Sequence, residues 1–208
     1  MKYMGSKRAM LGNGLGELLA QEVPNAERFI DLFAGSGAVA AHVASKFQVP
    51  VLAFDLQRYA AILAGAVINR QTPIQWQRSF RHWIERAEKI VERNAPLEPQ
   101  NITIASVAEC RTWCAAQNDL PITKAYGGHY YSPSQAVWFD ALRASLPARQ
   151  PIKTVALAAL IQAGSKCAAA PGHTAQPFQP TRTAKPYLAE AWSKDVVEKT
   201  RQALDALV

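Results

Sequence analysis

The sequence predicts an α/β fold: a partial parallel sheet built from one βαβα unit, joined to a mainly helical and loop-rich region. Three observations predict it. Short apolar runs at 29–33 and 49–54 are each followed by a helical pattern, and a glycine turn, Gly35-Ser36-Gly37, links the first run to its helix. Beyond residue 75, amphipathic helical patterns and turn signals replace strands. The boundaries that follow are 1–75 for the βαβα unit, 76–187 for the helical and loop-rich region, and 188–208 for a C-terminal helix.

Element by element, Phe29-Ile30-Asp31-Leu32-Phe33 reads as a strand and Ala38 to Phe47 as a helix. A second strand, 49–54, ends at Asp55, and Arg58 to Asn69 is helical by the spacing of its alanine, isoleucine and leucine residues. Before them, a basic start (Lys2, Lys7, Arg8) leads into a glycine-rich stretch at Gly12, Gly14 and Gly16 rather than an apolar leader, which reads as a cytoplasmic protein. Helices are expected over 76–94, where Trp76, Phe80, Trp83, Ile84 and Ala87 form the core face, and over 105–118, with a linker at 94–100 between them. Tyr126-Gly127-Gly128-His129-Tyr130-Tyr131-Ser132-Pro133 is a turn-rich aromatic segment, with His129 read as a turn residue. Ser134 is the expected N-cap of a helix over 135–145, followed by an alanine-rich buried helix over 152–162. The segment 164–187 holds Pro171, Pro177, Pro180 and Pro186 and is expected to be irregular, and one amphipathic helix is expected over 188–207.

Composition narrows the function classes. With 208 residues, 49% of them hydrophobic, and a net charge of +7, the chain has enough apolar content for a packed core, which excludes a disordered polypeptide. No apolar run approaches the roughly 20 residues that span a bilayer. Cys110, Cys114 and Cys167 make neither an even disulfide set nor a zinc-ligand spacing, so they read as reduced, semi-buried fillers, and no metal is expected. The positive charge sits late. No acidic residue lies between Asp140 and Glu190, whereas Arg143, Arg149, Lys153, Lys166, Arg182 and Lys185 fall there with His173, Phe178 and Tyr187. Such a segment suits a phosphate-tracking surface, because each neutralised phosphate releases counterions; an ordinary basic surface loop reads the same way.

A glycine turn between strand and helix lets backbone approach a ligand at an open helix N-terminus. Gly35-Ser36-Gly37-Ala38-Val39-Ala40 fits the loose dinucleotide pattern, and Asp55 at the end of the next strand is placed to accept from a ribose diol. Asp31 argues against a dinucleotide, since a carboxylate there would repel a pyrophosphate but could accept from an ammonium group. A ligand with an amino acid at one end and a nucleoside at the other suits both acids: S-adenosylmethionine. The competing reading is a glycine turn used only for packing.

Lys2-Tyr3-Met4-Gly5-Ser6-Lys7, then Asp31-Leu32-Phe33-Ala34-Gly35-Ser36-Gly37, then Phe54-Asp55, resembles the opening of the DNA adenine-N6 methyltransferases of the DNA adenine methylase type. The resemblance implies a Rossmann-like S-adenosylmethionine-binding sheet. In it Tyr3 packs near the cofactor adenine, Lys7 lies close to the cofactor, Asp31, Phe33, Gly35, Ser36 and Gly37 form the methionine-end loop, and Asp55 with Leu56 meets the ribose. Tyr126 to Ser132 with Gln135-Ala136 and Asp140-Ala141-Leu142-Arg143 is similar to a Gly-x-Tyr-Phe-Ser segment and the Asp-x-(Leu/Ile)-Arg helix after it in the same family. It implies that this part of the chain recognises duplex DNA, with Tyr130, Tyr131, Ser132 and Arg143 as candidate DNA contacts, Tyr130 and Tyr131 reading equally as core aromatics; the basic segment adds Lys166, His173 and Arg182 as candidates, so that 76–187 is the expected DNA-recognition region.

The family's catalytic element, Asp-Pro-Pro-Tyr, has no counterpart, because no Pro-Pro dipeptide occurs in the sequence. Ser132-Pro133-Ser134 and Lys185-Pro186-Tyr187 lack the second proline and the preceding carboxylate or amide, so no residue is assigned as catalytic. Residues 188–208 are then expected to lead into a catalytic half found elsewhere, most simply on a companion polypeptide. A truncated fragment, a catalytically inactive DNA-binding module and an RNA methyltransferase subunit are the alternatives.

Overall fold

The computed structural model describes residues 7–70, 72–172 and 176–207. The first described elements are α1 (Arg8–Leu11), α2 (Gly14–Glu22) and a 3-10 turn at Val23–Asn25, so most of the glycine-rich start is helical rather than loop. They precede β1 (Phe29–Asp31), α3 (Ala38–Lys46), β2 (Val51–Ala53) and α4 (Arg58–Ile68). β1 and β2 pair in parallel, Phe29 opposite Val51, Ile30 opposite Leu52 and Asp31 opposite Ala53, which is the expected βαβα arrangement in a small two-stranded sheet. The strands are shorter than their apolar runs because Leu32 and Phe33 already turn toward the glycines.

The strand period of two assigns the faces. Phe29 and Val51 pack with Leu19, Val23, Val39 and Val43 in the core of this unit, while Ile30 and Leu52, one residue on, are exposed. A parallel sheet is ordinarily covered on both faces; among the described residues the helices of the unit pack on one face, and Ile30 and Leu52 on the other are 47% and 42% exposed.

The chain divides into two compact units. The α/β unit holds the described residues up to Ile74 with 148–158 and Leu207, and the helical unit holds 75–147 and 159–206. The helical unit contains α5 (Gln77–Asn94), α6 (Ile104–Ala115), α7 (Pro121–Tyr126), α8 (Pro133–Ala144), α10 (Lys185–Trp192) and nearly all of α11 (Val196–Leu207), and it shares α9 (Ile152–Cys167) with the α/β unit. Trp76, Phe80 and Trp83 stack edge to face along α5, as core rather than ligand contacts, and the Trp83 indole N–H donates to the Leu142 carbonyl at 2.9 Å. Arg86 donates to the Ser145 carbonyl at 2.7 Å, so α5 satisfies carbonyls at the open end of α8.

Several boundaries differ from expectation for identifiable reasons. The N-cap of α8 is Ser132, not Ser134: its hydroxyl accepts from the Gln135 N–H at 3.1 Å, and the Gln135 side chain accepts from the Ser132 N–H at 3.0 Å, a reciprocal capping box with Pro133 at the first helical position. α9 continues to Cys167, so irregular structure begins four residues later than the prolines suggested. The expected single helix over 188–207 is two, because the chain breaks at 193–195 and Asp195 accepts from the Glu198 N–H at 3.0 Å to start α11. α7 fills a stretch for which the sequence predicts no element and overlaps the turn-rich segment only at Tyr126.

α7 is short and its N-cap, Leu120, has no side-chain acceptor. The buried Asp140 carboxylate on α8 replaces one, accepting from the Ile122 N–H at 2.9 Å, the Thr123 N–H at 2.7 Å and the Thr123 hydroxyl at 2.8 Å. Cys110, Cys114 and Cys167 are free and buried, and burial pushes the Cys114 thiol up to about 12 and the Cys167 thiol up to about 11. Replacing Asp140 with alanine leaves three donors unpaired, two of them on buried Thr123, and is expected to destabilise the fold by about 3 kcal/mol. The urea unfolding midpoint of the variant measures this.

Candidate functional site

The two strands deliver a pair of carboxylates to one edge of the sheet, at their carboxyl ends, where ligands of open α/β sheets bind. Asp55 follows β2. Its Oδ2 accepts from the Gly35 N–H and its Oδ1 from the Gln57 N–H, both at 2.8 Å, so one side chain fastens the glycine turn to the end of the neighbouring strand. These two backbone donors, Gln57 first, hold the Asp55 carboxyl below its ordinary value; the nearby Lys7 ammonium acts the same way, and burial opposes them. Each oxygen keeps an unused lone pair for a further donor.

Asp31 ends β1. Its Oδ1 accepts from the Phe33 N–H at 3.3 Å, whereas Oδ2 is buried with no hydrogen-bond partner among the described residues. A buried carboxylate oxygen without a donor is costly, and a cationic or N–H-bearing ligand removes that cost. Lys7 reaches the same turn, its ammonium donating to the Phe33 carbonyl at 3.5 Å.

Glycine is required in this turn. Gly35 and Gly37 have φ of +53° and +75°, and a Cβ on Gly37 would lie 2.9 Å from the Ala64 Cα. The turn closes with the Gly37 N–H donating to the Ala34 carbonyl at 2.7 Å, and Gly37 then starts α3 without any side-chain cap. The first N–H groups of α3 therefore face the turn unpaired by side chains. Around it Phe33 is 73% exposed and Leu56 97% exposed, with Leu32 and Phe54 also open to solvent. Exposed apolar side chains beside paired acids suit a ligand with both an apolar and a polar portion. A cavity of about 900 Å³ lined by Phe47, Val49, Pro50, Val67 and Pro73 lies at the other end of β2, away from Asp55.

Of the cofactor residues expected from the sequence, Lys7, Asp31, Phe33, Gly35 and Asp55 are linked by hydrogen bonds, and Ser36, Gly37 and Leu56 adjoin them in the chain. Tyr3 lies outside the described residues. One contributor to this turn carried no motif signal, the Gln57 backbone. Phe54, quoted in the motif but given no role there, donates its N–H to the Asp31 carbonyl and accepts from the Ala34 N–H.

The residues expected to meet DNA are scattered over several elements. Tyr130 is half-buried against Tyr126, and its carbonyl accepts from the Ala169 N–H at 2.8 Å. The Tyr131 hydroxyl donates to the Gly164 carbonyl at 3.1 Å, and burial pushes that phenol up to about 12. Ser132 is buried in the cap of α8. Arg143 is exposed in the last turn of α8, Lys166 is half-buried in the last turn of α9, and Arg182 is exposed between α9 and α10. His173 lies outside the described residues. The aromatic turn itself is tightly packed: a Cβ on Gly127 would meet the Cys114 sulfur at 2.5 Å, and one on Gly128 the Arg111 Cα at 2.9 Å. Burial and the Arg111 charge both push His129 down, in keeping with a turn residue.

This geometry of paired acids around a strand-to-helix glycine turn has a sequence counterpart. Residues 3–101 match the family model of D12 class N6 adenine-specific DNA methyltransferase. The resemblance read from the motifs is borne out over that range, and members of the D12 class are adenine-N6 DNA methyltransferases that use S-adenosylmethionine in general. No curated protein and no solved structure matches the chain. Among the described residues no helix is long and apolar enough to cross a membrane, and no cluster of three or more metal-ligating side chains occurs.

Two outcomes follow for the turn. Gly37→Ala is expected to destabilise the α/β unit by about 1–2 kcal/mol for the left-handed backbone alone, with more for the approach to Ala64, read as a lowered thermal midpoint. Because the folded Asp55 pKa is depressed, its stabilisation is full above the ordinary carboxylate range and is lost as pH falls through the lower folded value. The Gly35 and Gln57 amide resonances should therefore titrate together with a midpoint below that of a free aspartate; an ordinary midpoint contradicts the assignment.

Proposed function

We propose that this chain is the S-adenosylmethionine-binding and DNA-recognition portion of a DNA adenine-N6 methyltransferase, acting with a companion polypeptide that carries the Asp-Pro-Pro-Tyr element. The observation that carries the cofactor reading is the unpartnered Asp31 oxygen beside the Gly35–Gly37 turn. An amino-acid ammonium would pair with Asp31, the free backbone N–H groups at the start of α3 suit the carboxylate, and the spare lone pairs of Asp55 suit a ribose diol. Lys7, Phe33 and Leu56 border the same turn, and Tyr3 is proposed to cover the adenine. When bound, S-adenosylmethionine supplies an electrophilic methyl group.

The residues of this chain bind and orient. Asp55 keeps the glycine turn in register with β2, and Asp31 selects a cationic amino-acid end over a pyrophosphate. Transfer to an adenine amine also needs an acceptor that holds the amine lone pair toward the methyl group and an aromatic face for the flipped base. No residue of this chain is assigned to that task, since the sequence has no Pro-Pro dipeptide. Among the described residues β1 and β2 pair only with each other, so each keeps an unpaired edge, and Ile30 and Leu52 are partly open on one face; both support a companion that adds strands and cover. Residues 76–187 are proposed to contact duplex DNA, with Arg143, Lys166 and Arg182 as phosphate contacts and Tyr130, Tyr131, Ser132 and His173 as candidates around the aromatic turn.

Calorimetry with S-adenosylmethionine tests the cofactor site. Binding should be lost in Asp31→Ala and weakened at least tenfold in Asp55→Asn, with thermal unfolding showing that both variants fold; absence of binding by the folded parent chain would overturn the proposal. The purified single chain is also expected not to methylate plasmid adenines, as measured by protection from a methylation-sensitive endonuclease, and robust protection would remove the need for a companion.

A further inference from the structure

One aromatic pair in the helical unit has no part in the cofactor site. Phe178 and Tyr187 stack with ring centroids 5.5 Å apart and an interplanar angle of 27°. Phe178 packs against the buried cluster of Val107, Cys110, Ala169, Leu188, Ala191 and Trp192, and its N–H donates to the Ala169 carbonyl at 2.8 Å, so the inner ring is anchored. Tyr187 lies in the first turn of α10, the helix that supplies Leu188, Ala191 and Trp192 to that cluster, and its ring stacks on Phe178 yet is 58% exposed. A large aromatic backed on one face and open to water is an unfinished stack, with room on the ring for another flat group.

The charges beside it say which flat group. Arg182 and Lys185, both exposed, come five and two residues before Tyr187, with Thr181 and Thr183 on either side of Arg182. No acidic residue lies between Asp140 and Glu190, and Glu190, one turn along α10, pairs with Lys194 at 3.5 Å. The segment is also braced from α6, where Arg111 donates to the Gln179 side chain at 3.0 Å. A fixed aromatic face flanked by cations and hydroxyls is the arrangement on which unstacked bases rest while their phosphates are gripped.

We propose that Tyr187, backed by Phe178, is a stacking platform for an unpaired DNA base, with Arg182 and Lys185 contacting the neighbouring phosphates. The proposal rests on the DNA-facing reading given above and assigns it a site in the chain. An unpaired base is the form in which DNA is presented during base extrusion, so a platform beside the duplex would hold a strand opened for chemistry.

The test uses the full chain and a fluorescein-labelled DNA 20-mer carrying a central bulged base, with the fully paired duplex alongside. Tyr187→Leu, which keeps apolar cover on Phe178 but removes the aromatic face, should weaken the bulged probe about tenfold and the paired duplex far less, while Tyr187→Phe binds like the parent. Arg182→Gln and Lys185→Gln should each lower the slope of log affinity against log salt by about 1 on both probes. Equal affinity of Tyr187→Leu and parent for the bulged probe, or equal losses for the leucine and phenylalanine variants, would overturn the platform. Calorimetry with S-adenosylmethionine on the same preparations separates the two readings: cofactor binding without a Tyr187 effect sinks only the platform, and a Tyr187 effect without cofactor binding sinks only the methyltransferase assignment.

Discussion

The hydrogen bond from the Gly35 N–H to the Asp55 carboxylate, 2.8 Å long, ties the glycine turn after β1 to the chain leaving β2, and the candidate site depends on it. A two-stranded sheet is marginal, and a glycine turn with two positive φ values is the segment in it with the most freedom to lose. The carboxylate answers both problems by accepting from the turn with one oxygen and from Gln57 with the other. The turn runs from Asp31, whose Oδ2 has no hydrogen-bond partner among the described residues, to the start of α3, which has no side-chain cap. Asp55 accepts from two backbone donors, whereas Asp31 has one oxygen with no hydrogen-bond partner among the described residues.

The helical unit uses the same chemistry for a purely structural end. Asp140 accepts three hydrogen bonds from the first turn of α7. Gln135 accepts from Ser132 and donates to the Ala191 and Lys194 carbonyls at 2.9 and 2.8 Å, joining the start of α8 to the end of α10. Tyr131 spends its hydroxyl on Gly164. Tyr131 and Ser132 of the aromatic segment are thus engaged in the interior, and the exposed Tyr187, Arg182 and Lys185 lie later in the chain.

Much of the α/β unit was legible because its signals are local. Apolar runs of strand length, a glycine turn and alanine-rich helices follow one another within about 40 residues, and each element's period shows without reference to any other. The site residues on it were legible for the same reason: Asp31, Gly35, Gly37 and Asp55 are placed by strand ends and turn chemistry. The helical unit was less legible, since its boundaries are set by distant partners. Ser132 and Ser134 are equally good caps in isolation, and Ser132 prevails because Gln135, three residues on, closes the box and is itself held by α10 and the residue after it. The α10–α11 break is likewise invisible to a periodicity that continues through Ser193 and Asp195.

The sequence by itself determined the βαβα order, the need for glycine at the turn, the two acids at the strand ends and the likeness to adenine methyltransferases, because these depend on side-chain chemistry and spacing along the chain. Only the tertiary structure decided, among the described residues, which acid meets two backbone donors and which has an oxygen without a partner, which tyrosines are interior and which face water, and which sheet residues are exposed. Those outcomes depend on which donors and surfaces meet across tens of residues, and spacing along a chain carries no record of such meetings.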